Sequence, residues 1–513
     1  MISTRRVAWL SIATLGLGAA GLAVFSLVKA GPEPAAVSAR QPVPVSAQDR
    51  VYTADQTSNT VTVIDPSTNT TLGTIALGSQ RVNNTLSPQY LGDVGVHGLT
   101  YSPVGKRLAV TSVTSNTVHI VDTETNKVLN TTDVGRASHE GSFTADGKEF
   151  WIANRGRNTI SVVDTEHGGV ITNVDAGDNP SKVLMSPDGT LAYVNHITMP
   201  EITVIDVRSR QVKDHITGLA SPFSSDLAIS PDGTQLWAPH KLAGKTTVVD
   251  LVHNKVRTVL DTGPDTNHPN FAYTPTGERY AYITEGGLDD TAVYRLNGEQ
   301  PPTLVTRIKN SGHAPHGAWP SGDGSRVYVG LEKSDLLDVI DTATNKVTST
   351  VKIGQEPQAV VYATRAAAPG SAANLGRQGL GQQARDVPTT LPDGTDGDTL
   401  DPVAGRNLEA TIRPVGGLDM IQIQARRLAA NTMYQAYSVD DTGKRSMIFT
   451  FPTDSTGNTP MALSFGVFGG TRIAIEAKGA VTPVQKAAFL ANAEAGGHAH
   501  AATTGELTFC DCC

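Results

Sequence analysis

Histidines with recurring neighbours are the residues of this chain best suited to do chemistry. His97, His139, His268 and His316 each stand just before a short apolar run, in VHGLTY, SHEGSF, NHPNFAY and HAPHGAW, and His313 begins the last of these strings. Neutral imidazole is a good ligand for Zn or Cu, and it also transfers protons near neutral pH. The pattern therefore predicts a transition-metal site or a set of proton-transfer groups, provided that the fold gathers these residues.

Acidic and amide side chains occupy similar positions, and two more histidines follow apolar runs in neighbouring copies. The candidate ligand-binding surface is therefore His97, His139, Glu140, His196, Asp226, His240, His268, Asn270, His313 and His316, with Gln358 at a further run. Within it, the candidate metal ligands are His97, His139, His268 and His316. His268 lies one residue earlier than the other three in its copy, and His313 lies three earlier. This mismatch favours a polar rim for a small molecule or protein over four imidazoles on one ion.

A repeat of about 42 residues must position these side chains. The segment 51–78 recurs at 108–135, 150–177 and 327–354, and each copy contains alternating β-branched runs and turn signals such as SPDG and DTxTNK. One aspartate marks the register in six copies: Asp65, Asp122, Asp164, Asp206, Asp250 and Asp341. Four short strands per period are typical of a propeller blade, so the predicted fold is all-β, with seven blades over residues 50–365. The first copy lacks its inner strand, and 356–363 is expected to supply it and close the ring.

The repeat strings resemble the YVTN family of seven-bladed propellers, whose copies read much like YVTNxxxNTVSVIDxxTNxVxxTIxVG. The resemblance implies a fold rather than an activity, because similar propellers occur in envelope binding proteins, surface-layer proteins, and copper and haem enzymes. No CxxCH string for covalent haem attachment and no cupredoxin-like Cys–Cys–His–Met pattern is present. Lactonase-type propellers use Glu, Asn and Asp at the axis, which Glu140, Asn270 and Asp226 match loosely.

The first thirty residues predict export. Arg5 and Arg6 precede an apolar stretch, residues 7–28, that is long enough to cross a bilayer, so segment 1–30 is a signal peptide or a membrane anchor. Residues 31–49 then form a Pro/Ala-rich linker. The positive flank predicts a cytoplasmic N-terminus, which leaves the rest periplasmic, on the cell surface or extracellular.

Three further regions follow the repeats. Residues 366–405 are rich in Gly, Pro and Ala, which predicts a flexible linker, and 406–479 contain alternating strands that suit a small β-sandwich. The tail, 480–513, ends in a group that could bind a soft metal or instead pair its thiols: His498, His500, Cys510, Cys512 and Cys513.

Composition limits the functional classes. A net charge of −8 and a pI near 5.9 leave no basic surface for nucleic acid. The sequence favours an exported binding or scaffold protein that presents a His-rich face to a ligand or partner protein. The alternative is an exported metal-dependent enzyme, either a copper-type oxidoreductase or a lactonase-like hydrolase, that uses the same face.

Overall fold

The structure, a computed structural model, describes residues 43–79, 95–369, 371–399, 405–481, 498–501 and 507–510. The predicted export segment and the side chains of the His/Cys tail lie outside the described residues. Within the described ranges, no helix is both long and apolar enough to span a membrane. Strands dominate these ranges, with short 3-10 turns at Val104–Lys106 and Lys241–Ala243, so the all-β prediction is confirmed.

The repeats form sets of four antiparallel strands, and a parallel bridge between Glu140 and Lys182 joins the third and fourth sets into one eight-stranded sheet. The first three sheets are β1 Arg50–Asp55, β2 Thr60–Asp65 and β3 Thr70–Ala76 with β28 Pro357–Ala363; β4 Val96–Ser102, β5 Arg107–Ser112, β6 Thr117–Asp122 and β7 Lys127–Asp133; and β8 Ser138–Phe143, β9 Glu149–Asn154, β10 Thr159–Asp164 and β11 Val170–Asp175. The next two are β12 Pro180–Met185, β13 Leu191–His196, β14 Glu201–Asp206 and β15 Gln211–Thr217; and β16 Ala228–Ile229, β17 Gln235–His240, β18 Lys245–Asp250 and β19 Lys255–Asp261. The last two are β20 Thr266–Tyr273, β21 Arg279–Glu285, β22 Asp290–Asn297 and β23 Gln300–Lys309; and β24 Pro315–Pro320, β25 Arg326–Leu331, β26 Leu336–Asp341 and β27 Lys346–Lys352.

The repeated aspartates stabilise the turns that come directly after them. The Asp65 carboxylate accepts a hydrogen bond from the backbone N–H of Ser67 at 2.8 Å, and Asp164 accepts one from Glu166 at 2.8 Å. These contacts hold the tight turn that leads from the third to the fourth strand. The repeated aspartate is therefore a structural residue, as the sequence pattern indicated.

The chain closes on itself between its first and twenty-eighth strands. β28 pairs antiparallel with β1, with Arg50 opposite Ala363 and Asp55 opposite Pro357. The predicted pairing of 356–363 with the strand at Val51 is confirmed. Because β28 supplies the inner strand of the first sheet, β1 has a partner on both sides and is not an open edge.

A β-bulge interrupts the start of six inner strands. The bulged residues are His97, His139 with Glu140, Ser181, Asn267 with His268, His316 with Gly317, and Gln358. A residue with a left-handed backbone stands two positions before the first residue of each bulge: Gly95, Ala137, Asn179, Asp265, Ala314 and Glu356. A bulge redirects a side chain relative to the regular pleat. This repeated device carries most of the candidate residues.

The C-terminal residues form two further sheets around one core. One sheet contains β29 Arg385–Asp386, β31 Asn407–Val415, β32 Leu418–Arg426, β35 Thr459–Gly466, β37 His498–Ala501 and β38 Leu507–Cys510; the other contains β30 Thr389–Thr390, β33 Thr432–Val439, β34 Arg445–Pro452 and β36 Arg472–Ala480. Ile412, Phe449 and Ile473 are buried together between them.

The segment expected to be a flexible linker differs from that expectation. Gly376 exchanges backbone hydrogen bonds with Thr74 at 2.8 and 3.0 Å, and Leu375 packs against the core of the first sheets. Farther along, Val387 and Leu391 are buried in the C-terminal core. In the described parts of this segment, 366–369 and 371–399, a few separated apolar residues each enter a neighbouring core, although the average composition is that of a flexible chain.

Candidate functional site: a polar axial ring

The bulges and the left-handed residues define one equivalent position in each inner strand. The residues at this position are joined by hydrogen bonds, and Ser225 takes the equivalent place beside β16. We call the set the axial ring: His97, His139, Ser181, Ser225, Asn267, His316 and Gln358. By this register, His268 lies one residue after the ring position, and not before it as the sequence comparison suggested.

Half of the ring is built around two facing imidazoles. His97 Nε2 and His139 Nε2 lie 2.8 Å apart, and the two rings are buried. His139 Nδ1 donates to the backbone carbonyl of Ser181 at 3.0 Å, and Ser181 Oγ donates to the carbonyl of Ser225 at 3.1 Å. On the other side, His97 Nδ1 donates to Gln56 Oε1 at 3.0 Å. Each imidazole therefore uses Nδ1 for orientation and turns Nε2 toward the other.

The other half of the ring holds His316 through both nitrogens. His316 Nδ1 donates to the carbonyl of Gln358 at 2.7 Å, and His316 Nε2 accepts from the Asn267 amide at 2.6 Å. The Asn267 oxygen in turn accepts from Ser225 Oγ at 2.9 Å. Burial, reinforced by nearby His268, lowers the pKa of His316 to about 3, so the ring is neutral at physiological pH.

The facing histidines are also held neutral. Burial is the largest cause that lowers the pKa of both His97 and His139, and the positive charge of Arg155 lowers both further. With Nδ1–H donated in each ring, Nε2 of each carries a lone pair. Two lone pairs 2.8 Å apart repel each other unless a cation or a proton lies between them.

The pair has the spacing of two adjacent ligands on one metal ion. Metal–N bonds are about 2.0–2.1 Å long, so two such bonds at the right angle of tetragonal Cu(II) or Ni(II) coordination place the nitrogens about 2.9 Å apart, whereas the tetrahedral angle of Zn would place them about 3.3 Å apart. The Glu140 carboxylate completes a group whose ligand atoms all lie within 4.8 Å of one another. Nδ1 donors to carbonyl oxygens are the usual outer contacts of metal-bound histidine. The residues therefore fit a divalent transition metal. If the Gln56 amide were reversed, His97 would carry its proton on Nε2, and the contact between His97 Nε2 and His139 Nε2 would be an N–H···N hydrogen bond. Metal titration distinguishes these two arrangements.

In four neighbouring copies, the residue that follows the ring position is titratable, and these four side chains contact one another in a row. Lys182 Nζ lies 2.8 Å from Glu140 and also contacts Asp226, and His268 Nδ1 lies 2.9 Å from Asp226. Burial alone would lower the pKa of Lys182, but the carboxylates of Asp226 and Glu140 outweigh it and raise that pKa above its usual value. Although burial raises the pKa of Asp226, Lys182 and His268 lower it overall. Glu140, Asp226 and His268 form a second group of potential ligands, but the Lys182 ammonium already neutralises it.

The Asp226–His268 pair has the arrangement of a proton-transfer dyad. The carboxylate fixes Nδ1, and this leaves Nε2 as the nitrogen that can accept or donate a proton. Both side chains are buried. Of the four imidazoles considered as metal ligands, His97 and His139 thus form one pair, whereas His268 and His316 have partners of their own.

Four predicted residues have other contacts. His196 bonds the Asp178 carbonyl and Thr203, and His240 bonds the Phe223 carbonyl and Thr247, so both ring nitrogens of each serve the local structure. Asn270 donates to the carbonyl of Ala318. His313 lies between Asp289 and Asp386, at 2.8 and 3.2 Å. The hydrogen bond from His313 to Asp289 is the main cause that raises the pKa of His313.

Sequence reasoning missed Gln56, Ser181, Lys182 and Asn267. Their signal is the register itself, because Ser181 and Asn267 stand 42 residues after His139 and Ser225 respectively. Lys182 is the least expected member, since lysine is rarely buried without a partner.

The C-terminal sheets contact the propeller beside this ring. Arg413 forms a buried ion pair with Asp335 at 2.9 Å, and Lys333 bonds Glu409 at 2.5 Å. Arg426 contacts Asp265, the left-handed residue that precedes Asn267, at 2.5 Å. A side-chain amide of the same sheet, Gln422, reaches Glu356, the corresponding residue before Gln358, at 3.3 Å. The face predicted to meet a partner protein is thus contacted, at these loops, by the chain's own C-terminal sheet.

Comparison with known proteins supports the fold. The periplasmic gluconolactonase PpgL of Pseudomonas aeruginosa is 14% identical, with 62% of this chain and 99% of that chain covered and a TM-score of 0.50. A functionally unknown protein from Desulfotomaculum acetoxidans DSM 771 is 10% identical, with 61% and 98% covered and a TM-score of 0.51. Hydrazine synthase of Kuenenia stuttgartiensis is 20% identical, with 52% and 88% covered and a TM-score of 0.46.

The chain matches no protein-family model and no curated protein. At these levels of identity, the gluconolactonase and the Desulfotomaculum acetoxidans protein, with TM-scores of 0.50 and 0.51, indicate the fold alone. The chain therefore has a β-propeller fold.

Proposed function

We propose that this protein is an exported, seven-bladed binding propeller that holds a divalent transition metal at His97, His139 and Glu140. The observation that carries the proposal is the pair of buried Nε2 atoms 2.8 Å apart, each in a ring whose Nδ1 is already fixed. Zn and Cu are the metals that imidazole ligands of this kind favour. Export follows from the Arg pair and the apolar segment 7–28, whether that segment is cleaved or anchors the chain.

The neutral state of the two imidazoles and the fixed position of Glu140 also support a role in metal binding. Neutral imidazoles in a polar, buried environment bind a metal without a proton first having to leave. Lys182 holds one side of Glu140, so the carboxylate is oriented before the metal arrives. The role of the C-terminal sandwich in this proposal is to cover loops beside the ring, so the ligand for this face is a small species rather than a protein.

Metal titration tests the proposal. Full-length protein purified without chelators is assayed for bound metal, and then titrated with Zn²⁺, Cu²⁺ and Co²⁺ by calorimetry. We expect the His97→Ala/His139→Ala variant to bind one equivalent less than the wild type, because the His/Cys tail, the other candidate metal group, is the same in both. A variant that replaces two exposed histidines, His167→Ala/His253→Ala, is the matched control and should bind like the wild type. Equal binding by both double variants, or no binding by the wild type, would overturn the proposal.

A second candidate is a metal-assisted hydrolase. The specific observation in its favour is that Asp226 and His268 form a proton-transfer dyad whose neighbour, through Lys182, is the proposed metal ligand Glu140. A metal-bound water would supply the nucleophile, and His268 would move its proton. The gluconolactonase has the same type of fold, which makes lactones a reasonable first panel. In that panel, His268→Gln should abolish metal-dependent turnover and leave metal affinity unchanged. Turnover that survives in this variant would exclude the dyad.

A further inference from the structure

The axial ring is hydrogen-bonded at every junction except one. Bonds join His97 through His139, Ser181, Ser225, Asn267 and His316 to the backbone of Gln358, but the Gln358 side chain makes no bond that returns to His97. Gln358 is 1% exposed, and its Nε2 and Oε1 have no hydrogen-bond partner in the described part of the chain. The Nε2 of Gln56, whose oxygen holds His97, is also buried without a partner.

The two residues that carry these orphan atoms have neighbouring backbones. Gln358 is the bulged residue of β28, in the register that brings His97 and His316 to the ring, and its carbonyl is 2.7 Å from His316 Nδ1. The backbone N–H of Gln56 bonds the carbonyl of Glu356, two residues before Gln358, at 3.0 Å. Buried amides without partners are strongly disfavoured in folded proteins, so three such atoms beside a candidate metal pair indicate a polar ligand.

The orphan atoms indicate which functional groups the ligand carries. Two amide N–H groups, from Gln56 and Gln358, are free to donate, and one oxygen, Gln358 Oε1, is free to accept. Two donors suit a carboxylate, and an acceptor beside them suits a hydroxyl group on the adjacent carbon.

We infer that the ring binds a small 2-hydroxycarboxylate between Gln358 and His97, with the carboxylate on the two amide N–H groups and the hydroxyl on Gln358 Oε1. Recognition by the two amides is independent of metal, whereas any additional bond from the ligand to a metal rests on the proposed function. The ligand must be small, because every residue of the ring that surrounds this junction is buried.

Glycolate is the probe. Acetate, which has the carboxylate alone, and ethylene glycol, which has hydroxyl groups alone, are the comparison compounds. Binding to the full-length protein is measured by calorimetry, with and without one equivalent of Zn²⁺. We expect glycolate to bind at least tenfold more tightly than acetate, and ethylene glycol not to bind. Gln358→Met keeps the side-chain volume but removes both polar atoms, so it should weaken glycolate binding about tenfold or more and leave the Zn²⁺ stoichiometry unchanged. Gln211→Met, at an exposed position of β15, is the matched control and should bind glycolate normally.

The outcomes separate this inference from the proposed function. If the protein binds no metal but binds glycolate in a way that depends on Gln358, the inference is supported and the metal proposal is wrong. Metal binding with no glycolate binding, or with equal glycolate affinity in wild type and Gln358→Met, overturns the inference alone. If Gln358→Met does not fold, Gln358→Glu gives the second test. Its carboxylate should repel glycolate, so unchanged affinity in that variant also overturns the inference.

Discussion

Replacing Arg413 by methionine should release the C-terminal sheets from the propeller. Arg413 is fully buried, and its guanidinium contacts both carboxylate oxygens of Asp335 at 2.9 to 3.2 Å and the carbonyl of Glu332 at 2.7 Å. Methionine fills much of the same volume without charge. The substitution therefore leaves the buried Asp335 carboxylate without its cation.

The expected cost follows from that carboxylate. Removing one partner of a buried ion pair typically costs about 3–5 kcal/mol, because the remaining charge stays desolvated. Asp335 keeps two backbone donors, the N–H groups of Glu356 at 2.8 Å and Ala384 at 2.7 Å, so we expect the lower end, about 3 kcal/mol. The same change at Arg445, whose pair with Glu476 is half exposed on the same domain, should cost less than about 1 kcal/mol.

Urea unfolding measures this difference if the two parts are followed separately. Three of the four tryptophans, Trp151, Trp237 and Trp319, lie in the propeller, the fourth is Trp9, and the C-terminal sheets contain none. Tryptophan fluorescence therefore follows the propeller and not the C-terminal sheets, while limited proteolysis between 371 and 399 reports release of those sheets. Arg413→Met should make this segment cleavable at urea concentrations at which the tryptophan signal is still native. If Arg413→Met and Arg445→Met are cleaved at the same rate, the buried pair does not hold the domain and the reasoning is refuted.

Three further predictions concern single positions. Burial and the nearby Glu285 raise the pKa of Asp290 from 3.8 to about 8, so the stability that its protonated form contributes is present below pH 4 and is lost as the pH rises through about 8. Asp290→Asn should remove about 1–2 kcal/mol of that pH dependence, measured as the difference between wild-type and variant unfolding free energies from pH 4 to 9. Gly98→Ala should cost about 1–3 kcal/mol and weaken metal binding, because its Cβ would lie 2.7 Å from the carbonyl oxygen of His139. His196→Ala should lower thermal stability by about 1–2 kcal/mol and leave metal binding intact, since its ring nitrogens bond only neighbouring structure.

Each of these has a result that would contradict it. A parallel pH profile for wild type and Asp290→Asn would show that the carboxyl pair does not titrate in this range. Gly466→Ala, where a Cβ meets nothing within 4 Å, is the control for Gly98→Ala and should be neutral. Loss of metal on replacing His196 would place that histidine in the site after all.

The repeat could be read from the sequence because Asp122, Asp164, Asp206 and Asp250 recur at intervals of 42 to 44 residues. Asp164 and its equivalents mark the same turn in six copies, and the β28–β1 pairing follows from a copy that lacks one strand. Only part of the candidate site could be identified from the sequence. His97 and His139 were found by residue type, but the same criterion selected His196 and His240, which bond their own sheets.

The other residues of the site and the packing of segment 371–391 depend on contacts that the sequence repeat does not encode. Lys182 is visible only once Glu140 and Asp226 are known to flank it from neighbouring sheets. Asn267 was overlooked because His268 stands beside it, and only the hydrogen bonds of Asn267 to Ser225 and His316 show which of the two enters the ring. The packing of 371–391 rests on a few leucine and valine contacts within a stretch whose composition is that of a flexible chain.

The pairing of β28 with β1 also sets the order in which the protein can mature. A ribosome releases His97 and His139 long before residues 357–363, so a nascent chain holds both imidazoles while the first sheet still lacks its inner strand. During that interval β1 is an open edge, which invites pairing with other chains. Gln358 arrives with the strand that ends this exposure. Completion of the axial ring and protection of the nascent chain are therefore one event, and a chain that terminates before residue 357 fails at both.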